Sequence, residues 1–148
     1  MDETTNELTP TQSWQLLGTS DLGRLAMCFD GEPEIFPVNY VIANGTVVFR
    51  TAAGLKHVSA RLGQPVALEA DGVDSEAGIA WSVVVKGQAR DVTSQTELDY
   101  VRKLPLRPAH AGPKYLFVRI EPDTVTGRRF PIAAADRWVS ADQVSTRE

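Results

Sequence analysis

The chain has little cysteine and little histidine, and both shortages exclude kinds of site. Its 148 residues include one cysteine, Cys28, so neither an intrachain disulfide nor a CxxC metal site can form. The two histidines, His57 and His110, belong to no His/Cys/Asp cluster at metal-ligand spacing, so we expect no metal site. Cys28 itself lies in an apolar strand pattern, which predicts a small buried side chain.

A positive charge excess and a long apolar run are also missing. The formal net charge is −4, whereas a nucleic-acid-binding domain is expected to be basic. No segment approaches the ~20 apolar residues that cross a bilayer. The N-terminus is polar and acidic, unlike a signal peptide. We therefore expect a cytoplasmic protein with neither a nucleic-acid nor a membrane partner.

Two common enzyme motifs are absent from the sequence. There is no G-x-S-x-G, which argues against a hydrolase with a nucleophile elbow. There is no G-x-G-x-x-G either, which argues against a dinucleotide-binding Rossmann domain. No side chain stands out as a general acid or base, so the catalytic residues stay unknown at this point.

Short β-rich runs separated by turn signals predict a mainly β fold. Asp30-Gly31 and Asn44-Gly45 are favourable hairpin dipeptides. Six or seven antiparallel strands with a few short helices indicate a Greek-key or closed β-barrel. The predicted strands cover residues 23–29, 34–42, 46–50, 66–71, 79–92, 115–121 and 124–130. We predict a disordered tail over 1–8, one domain over 9–132 and a C-terminal tail over 133–148.

Several local signals place the helices and one irregularity. Thr9 is a candidate N-cap with Pro10 at the first helical position, and a short helix is expected over 55–62. Ser94 and Glu97 have the spacing of a capping box, which opens a helix to about residue 104. Gly87, inside a long strand, suggests a bulge or a close backbone approach.

A strand, a small-residue turn and a helix-like stretch together form a plausible phosphate cradle. The strand ends in Arg50 and Thr51, the turn contains Gly54, and Lys56 opens the stretch that follows. Backbone N–H groups, a helix dipole, a hydroxyl and two cations would converge on one small volume. Because successive strand residues face opposite sides, Arg50 and Thr51 reach one ligand only if the strand end twists.

The chain resembles the pyridoxamine 5′-phosphate oxidase-like flavoproteins over about residues 13–132. The resemblance rests on the cradle segment and on five further stretches in the family's order. They are Leu22-Gly-Arg-Leu-Ala26, Gly31-Glu-Pro-Glu-Ile-Phe-Pro-Val38, Gln64-Pro-Val-Ala-Leu-Glu-Ala-Asp71, Trp81-Ser-Val-Val-Val-Lys-Gly-Gln-Ala89 and Gly127-Arg-Arg-Phe130. The resemblance implies an FMN-binding split β-barrel and a homodimer.

The resemblance also implies a set of cofactor-binding residues. Thr51, Lys56 and Arg50 would hold the FMN phosphate. The isoalloxazine ring would lie along Pro37, Val38, Asn39 and Tyr40. Trp81 and Ser82 would contribute to the flavin site of the opposite subunit. Because adjacent strand residues face opposite ways, at most one of Arg128 and Arg129 should point into the site, and we favour Arg129.

Three functions remain open on the sequence. The leading hypothesis is an FMN-dependent oxidoreductase that acts on a small molecule. A deazaflavin (F420) reductase would need a further basic groove, for which Arg61, Lys103 and Arg107 are available. A non-catalytic flavin or haem binder is the third, and haem would need His57 or His110 as its axial ligand.

Overall fold

The computed structural model describes residues 6–52, 62–106 and 115–132, which contain seven strands and two helices. In chain order the elements are β1 (Asn6–Glu7), α1 (Pro10–Leu17), β2 (Leu22–Phe29), β3 (Glu32–Ala43), β4 (Thr46–Ala52), β5 (Pro65–Asp74), β6 (Ile79–Asp91), α2 (Gln95–Val101) and β7 (Tyr115–Pro131). Every strand pair is antiparallel, so the predicted mainly β class is confirmed. Neither helix is long and apolar enough to cross a membrane.

Six of the strands close into a barrel because β7 pairs on both of its sides. The strands run in the order β7-β4-β3-β2-β5-β6, and β6 then pairs with β7 again. In β7, the residues from Val118 to Ile120 pair with β4 and β6 at once. Strands β2, β3 and β4 are consecutive neighbours and β5 returns beside β2, which is a Greek key.

The local signals that the sequence offered position these strands. Both hairpin dipeptides adopt positive φ angles, 49° and 78° at Asp30-Gly31 and 51° and 69° at Asn44-Gly45. That backbone gives the tight turns that join β2 to β3 and β3 to β4. At the start of α1, the Thr9 hydroxyl accepts a hydrogen bond from the Gln12 N–H at 3.2 Å, and the Gln12 side chain accepts one from the Thr9 N–H. The predicted N-cap is confirmed.

The predicted irregularity at Gly87 is also confirmed. Lys86 pairs with Thr124 and Gly87 with Pro122, so Asp123 is an extra residue in β7. A Cβ at Gly87 would collide with the backbone of Glu121, which explains why glycine stands there. The sequence predicted two closing strands, but the bulge absorbs the irregularity and β7 continues as one strand.

Two apolar clusters lie on the two sides of the sheet. The larger cluster fills the barrel interior and is sealed by α1 through Leu17. Its central side chains are Leu25, Leu68, Phe49, Val83, Val85 and Ile120. The smaller cluster lies outside the barrel, where Val101 of α2 covers Val48 and Phe117 of β4 and β7.

Three sequence expectations need correction. Cys28 is exposed rather than buried, because Leu25 and Met27 take the inward positions of β2 and Cys28 has the opposite parity. The Ser94 hydroxyl caps α2, but the Glu97 carboxylate pairs with Arg90 at 3.1 Å, and the helix ends at Val101 rather than near residue 104.

The N-terminal segment also differs from its sequence expectation. Asn6–Glu7 forms β1 and pairs with Arg128 and Arg129 of β7, which departs from the predicted tail over 1–8. Most of the predicted helix over 55–62, and the predicted C-terminal tail over 133–148, lie outside the described residues.

Candidate functional site

Strand β3 divides the four residues that were expected to line the flavin ring. The side chains of Val38 and Tyr40 are buried in the barrel interior. Pro37 and Asn39 have the opposite parity, and their side chains lie on the outside of the barrel. Only Pro37 and Asn39 can therefore present a side chain to a ligand there, whereas Val38 and Tyr40 can contribute backbone groups alone.

The outward residues of five strands form one continuous surface, which we call the outer face. One row across it is fixed by direct strand pairing. It runs through Pro37, Arg24, Glu69, Val84 and Thr126, on β3, β2, β5, β6 and β7 in turn. Residues directly opposite each other in antiparallel strands share a face, so these side chains lie side by side.

The end of β4 extends the outer face beyond β3. Tyr40 pairs with Phe49, so Asn39 and Arg50 are the next residues of the two strands. The Arg50 guanidinium carbon lies 5.3 Å from the centroid of the Phe117 ring, which holds this cation at the edge of the outer face. The structure therefore brings Pro37, Asn39 and Arg50 together.

Thr51 points the other way, into the barrel. Its side chain is 4% exposed, and its hydroxyl forms no hydrogen bond within the part of the chain that the structure describes. A buried hydroxyl normally has a partner. Thr51 therefore does not share the outer face with Arg50.

Trp81 and Ser82 lie on opposite sides of the sheet, as neighbouring residues of β3 do. Trp81 pairs with Arg129 and packs on the interior cluster, whereas Ser82 pairs with Arg128 on the outer face. Ser82 and Arg128 line a cleft of about 710 Å³, together with Glu7 of β1 and Thr126. Of the two arginines, Arg128 is therefore the one that shares the outer face with Ser82, although Arg129 was favoured from the sequence.

An ionic cluster at the centre of the outer face was missed by the sequence reasoning. The Arg24 guanidinium lies 3.6 Å from Glu69 and 3.3 Å from Asp71. Burial, and then the hydrogen bond with Asp71, raise the pKa of Glu69 to about 7. A signal for it existed, because Glu69 and Asp71 share one parity in a strand whose alternate residues are apolar.

The remaining candidates lie where the structure gives no description. Gly54, Lys56, His57 and His110 fall outside the described residues. Within the described ranges, no group of three or more His, Cys, Asp or Glu side chains could hold a metal ion. Of the three residues considered for a deazaflavin groove, only Lys103 is described, and it is exposed after α2.

Comparison with known proteins connects this barrel to a family of flavin proteins. The family model described as pyridoxamine 5′-phosphate oxidase matches residues 9–129. An uncharacterised protein of Mycobacterium tuberculosis is 35% identical over 83% of this chain and 84% of its own.

Two solved structures show the same barrel. The FAD-binding protein of Mycobacterium smegmatis is 39% identical, with a TM-score of 0.75, and the match covers 86% of this chain and 99% of that one. A conserved protein of unknown function from Corynebacterium diphtheriae is 35% identical, also with a TM-score of 0.75 and the same coverage. The resemblance found in the sequence is confirmed, and the chain belongs to the pyridoxamine 5′-phosphate oxidase family.

Proposed function

We propose that this protein is an FMN-binding oxidoreductase whose cofactor lies on the outer face at β3 and β4. The observation that carries the proposal is the grouping of Pro37, Asn39 and Arg50 on one surface, because Arg50 belongs to the predicted phosphate cradle. A fold alone does not assign a function, so the argument rests on these side chains.

The residues present fit a flavin phosphate and ring. Arg50 supplies a guanidinium, which binds phosphate oxygens through charge-assisted hydrogen bonds. Thr51 points into the barrel, so its hydroxyl would reach the same phosphate only if the strand end twists. Asn39 offers an amide donor and an acceptor to the polar edge of a ring, and Pro37 gives an apolar surface.

A bound flavin supplies hydride and electron transfer, and the protein binds and orients it. Arg50 would neutralise the phosphate, and Asn39 would fix the ring edge. Glu69 lies two strands from Pro37 in the same row, so a carboxyl group that can hold a proton near neutral pH is available on the same face.

FAD is the second candidate cofactor, because the 39% identical Mycobacterium smegmatis relative is named as an FAD-binding protein. FMN and FAD share the ring and the first phosphate, so the same residues serve both. The outer face continues from the proposed ring position to the cleft of about 710 Å³ beside Ser82 and Arg128, so a longer cofactor would have a surface to follow.

We further propose that the protein is a cytoplasmic homodimer with the outer face at the subunit interface. Leu22 and Ile35 are 47% and 69% exposed on this face, on either side of the Arg24–Pro37 pair, so a partner subunit that covers the face would bury both apolar side chains. Val84 of β6 also lies on this face, whereas its neighbours Val83 and Val85 fill the barrel interior. A monomer in light scattering at micromolar concentration would refute it.

One measurement tests the cofactor directly. The purified protein is examined by absorbance spectroscopy, and the released chromophore is identified by chromatography after acid precipitation. FMN or FAD in the extract supports the flavin site and decides between the two. A deazaflavin spectrum or a Soret band would replace the proposal with the corresponding alternative, and failure to bind any added flavin would refute it.

A further inference from the structure

A second cleft, of about 470 Å³, opens on the outer face beside the β-bulge, and we call it the bulge cleft. Its floor is formed by Ala26 and Ala67, which are directly opposite each other on β2 and β5. Pro33 and Pro65 form its apolar walls. The volume is within the range of small-molecule sites, and the apolar lining is typical of them.

The β-bulge forms one edge of this cleft. Gly87 lies at its edge and cannot carry a side chain, because a Cβ would meet the Glu121 backbone. Asp123, the extra residue of β7, stands at the rim. Of the described residues that line the cleft, all except Gln64 belong to paired strands.

The bulge cleft adjoins the proposed ring position. Ala26 and Ala67 are two residues along their strands from Arg24 and Glu69, which is about 7 Å along the sheet. Arg24 is directly opposite Pro37, where the flavin ring is proposed to lie. A molecule in the cleft would therefore lie next to the ring on one surface.

Lys86 sets the charge preference of the cleft. It is directly opposite Ala67, so its side chain rises from the floor, and it forms no ion pair with any residue in the described ranges. An ammonium group beside an apolar floor complements an apolar molecule that carries one anionic group. Asp123 at the rim opposes a second negative charge.

We propose that the bulge cleft binds the substrate of the flavin site, and that this substrate is a small apolar molecule with a single carboxylate held by Lys86. The inference rests on the proposed function for the identity of the neighbouring cofactor. It does not depend on that cofactor for binding, because every residue in the argument belongs to the cleft.

The test is calorimetric titration of the purified protein with 4-phenylbutyrate and with its neutral amide. The carboxylate should bind the wild type roughly tenfold more tightly than the amide, as expected for a charge-assisted contact. Lys86→Gln should remove that preference. Asp123→Asn should tighten carboxylate binding, because it removes a like charge. Lys103→Gln, an exposed lysine after α2, is the control and should change neither affinity.

Equal affinities for the acid and the amide, or an unchanged preference in Lys86→Gln, would overturn the proposal. Absence of binding would also overturn it and would fit a cleft filled by a side chain of a second copy. Flavin titration of the same wild-type sample separates the two proposals. Flavin binding without carboxylate binding refutes the cleft alone, and carboxylate binding without flavin binding refutes the proposed function.

Discussion

The Tyr40 hydroxyl donates a hydrogen bond to the main-chain carbonyl of Leu17, with 2.6 Å between the two oxygens. This bond ties β3 to the last residue of α1, where helix carbonyls lack partners within the helix. Burial, as the largest cause, raises the pKa of Tyr40 to about 12, so the phenol remains a neutral donor across the working pH range. Tyr40 therefore anchors the helix that seals the barrel, and its side chain is not available to a ring on the outer face.

Tyr40→Phe should lower the free energy of unfolding by about 1 kcal/mol, because it removes the shorter of the two hydrogen bonds to the Leu17 carbonyl and leaves only the 3.4 Å bond from the Ser20 N–H. The ring stays in place, so no large cavity is added. Urea denaturation followed by fluorescence measures the change. Tyr100→Phe, at an exposed position on α2, is the matched control and should have almost no effect. A Tyr40→Phe variant as stable as the wild type would contradict the anchoring role.

The same variant has a second readout. Because the Tyr40 side chain points into the barrel, Tyr40→Phe should leave flavin affinity within about twofold of the wild type, corresponding to roughly 0.4 kcal/mol. A loss of tenfold or more in a folded variant would show that the phenol contacts the ligand.

The pKa of Glu69 predicts a pH dependence of stability. That pKa is raised to about 7 in the folded protein from an ordinary value of 4.5. Between these values the folded state holds more protons than the unfolded state, so the free energy of unfolding should fall as pH rises through this window. The stabilising contribution is present in full below about 4.5 and is lost above about 7. Thermal melts from pH 4.5 to 8 measure it.

Glu69→Gln should flatten this pH dependence. The free energy of unfolding of the variant, relative to that of the wild type, should be higher at pH 8 than at pH 5. The amide is neutral at both pH values, so it avoids the cost of a buried charge beside Asp71. Glu76→Gln, in the exposed turn between β5 and β6, is the control and should follow the wild-type curve. If Glu69→Gln also follows it, the account of this cluster is wrong.

Gly87→Ala should destabilise the barrel by about 2 kcal/mol or more, because the added methyl group collides with the Glu121 backbone across the bulge. Gly18→Ala is the matched control. A Cβ there meets its nearest atom, the Gln15 carbonyl oxygen, at 3.5 Å, and its φ of −70° suits alanine. The control should therefore be neutral or slightly stabilising. Chemical denaturation of both variants measures the difference, and equal stabilities would contradict the close approach.

Much of the fold was predictable because local chemistry decided it. Asn44 and Gly45 adopt positive φ angles, which asparagine and glycine tolerate, and Gly87 marks the bulge. The continuity of β7 was not predictable, because Pro122 and Asp123 are ordinary turn residues. Only the pairing of Gly87 with Pro122, which leaves Asp123 as the extra residue, shows that the two form a bulge inside one strand.

The sequence identified candidate site residues but not the side of the sheet that each side chain faces. The sequence identified the run from Pro37 to Tyr40 but assigned all four residues to one ligand surface, whereas strand parity places Val38 and Tyr40 inside. The Arg24 cluster was missed for a different reason. Arg24 and Asp71 are 47 residues apart, and only the pairing of β2 with β5 brings them together.

The most direct test of the central claim is the flavin affinity of the chain measured with and without the phosphate. Flavin-free protein is titrated with FMN and with riboflavin, and the quenching of flavin fluorescence is followed. The account predicts that FMN binds at least tenfold more tightly, because a charge-assisted contact contributes about 1.5–3 kcal/mol. Arg50→Gln should remove most of the difference, whereas Arg102→Gln, at the exposed C-cap of α2, should not. Equal affinity of the wild type for FMN and riboflavin would contradict the phosphate site at the end of β4.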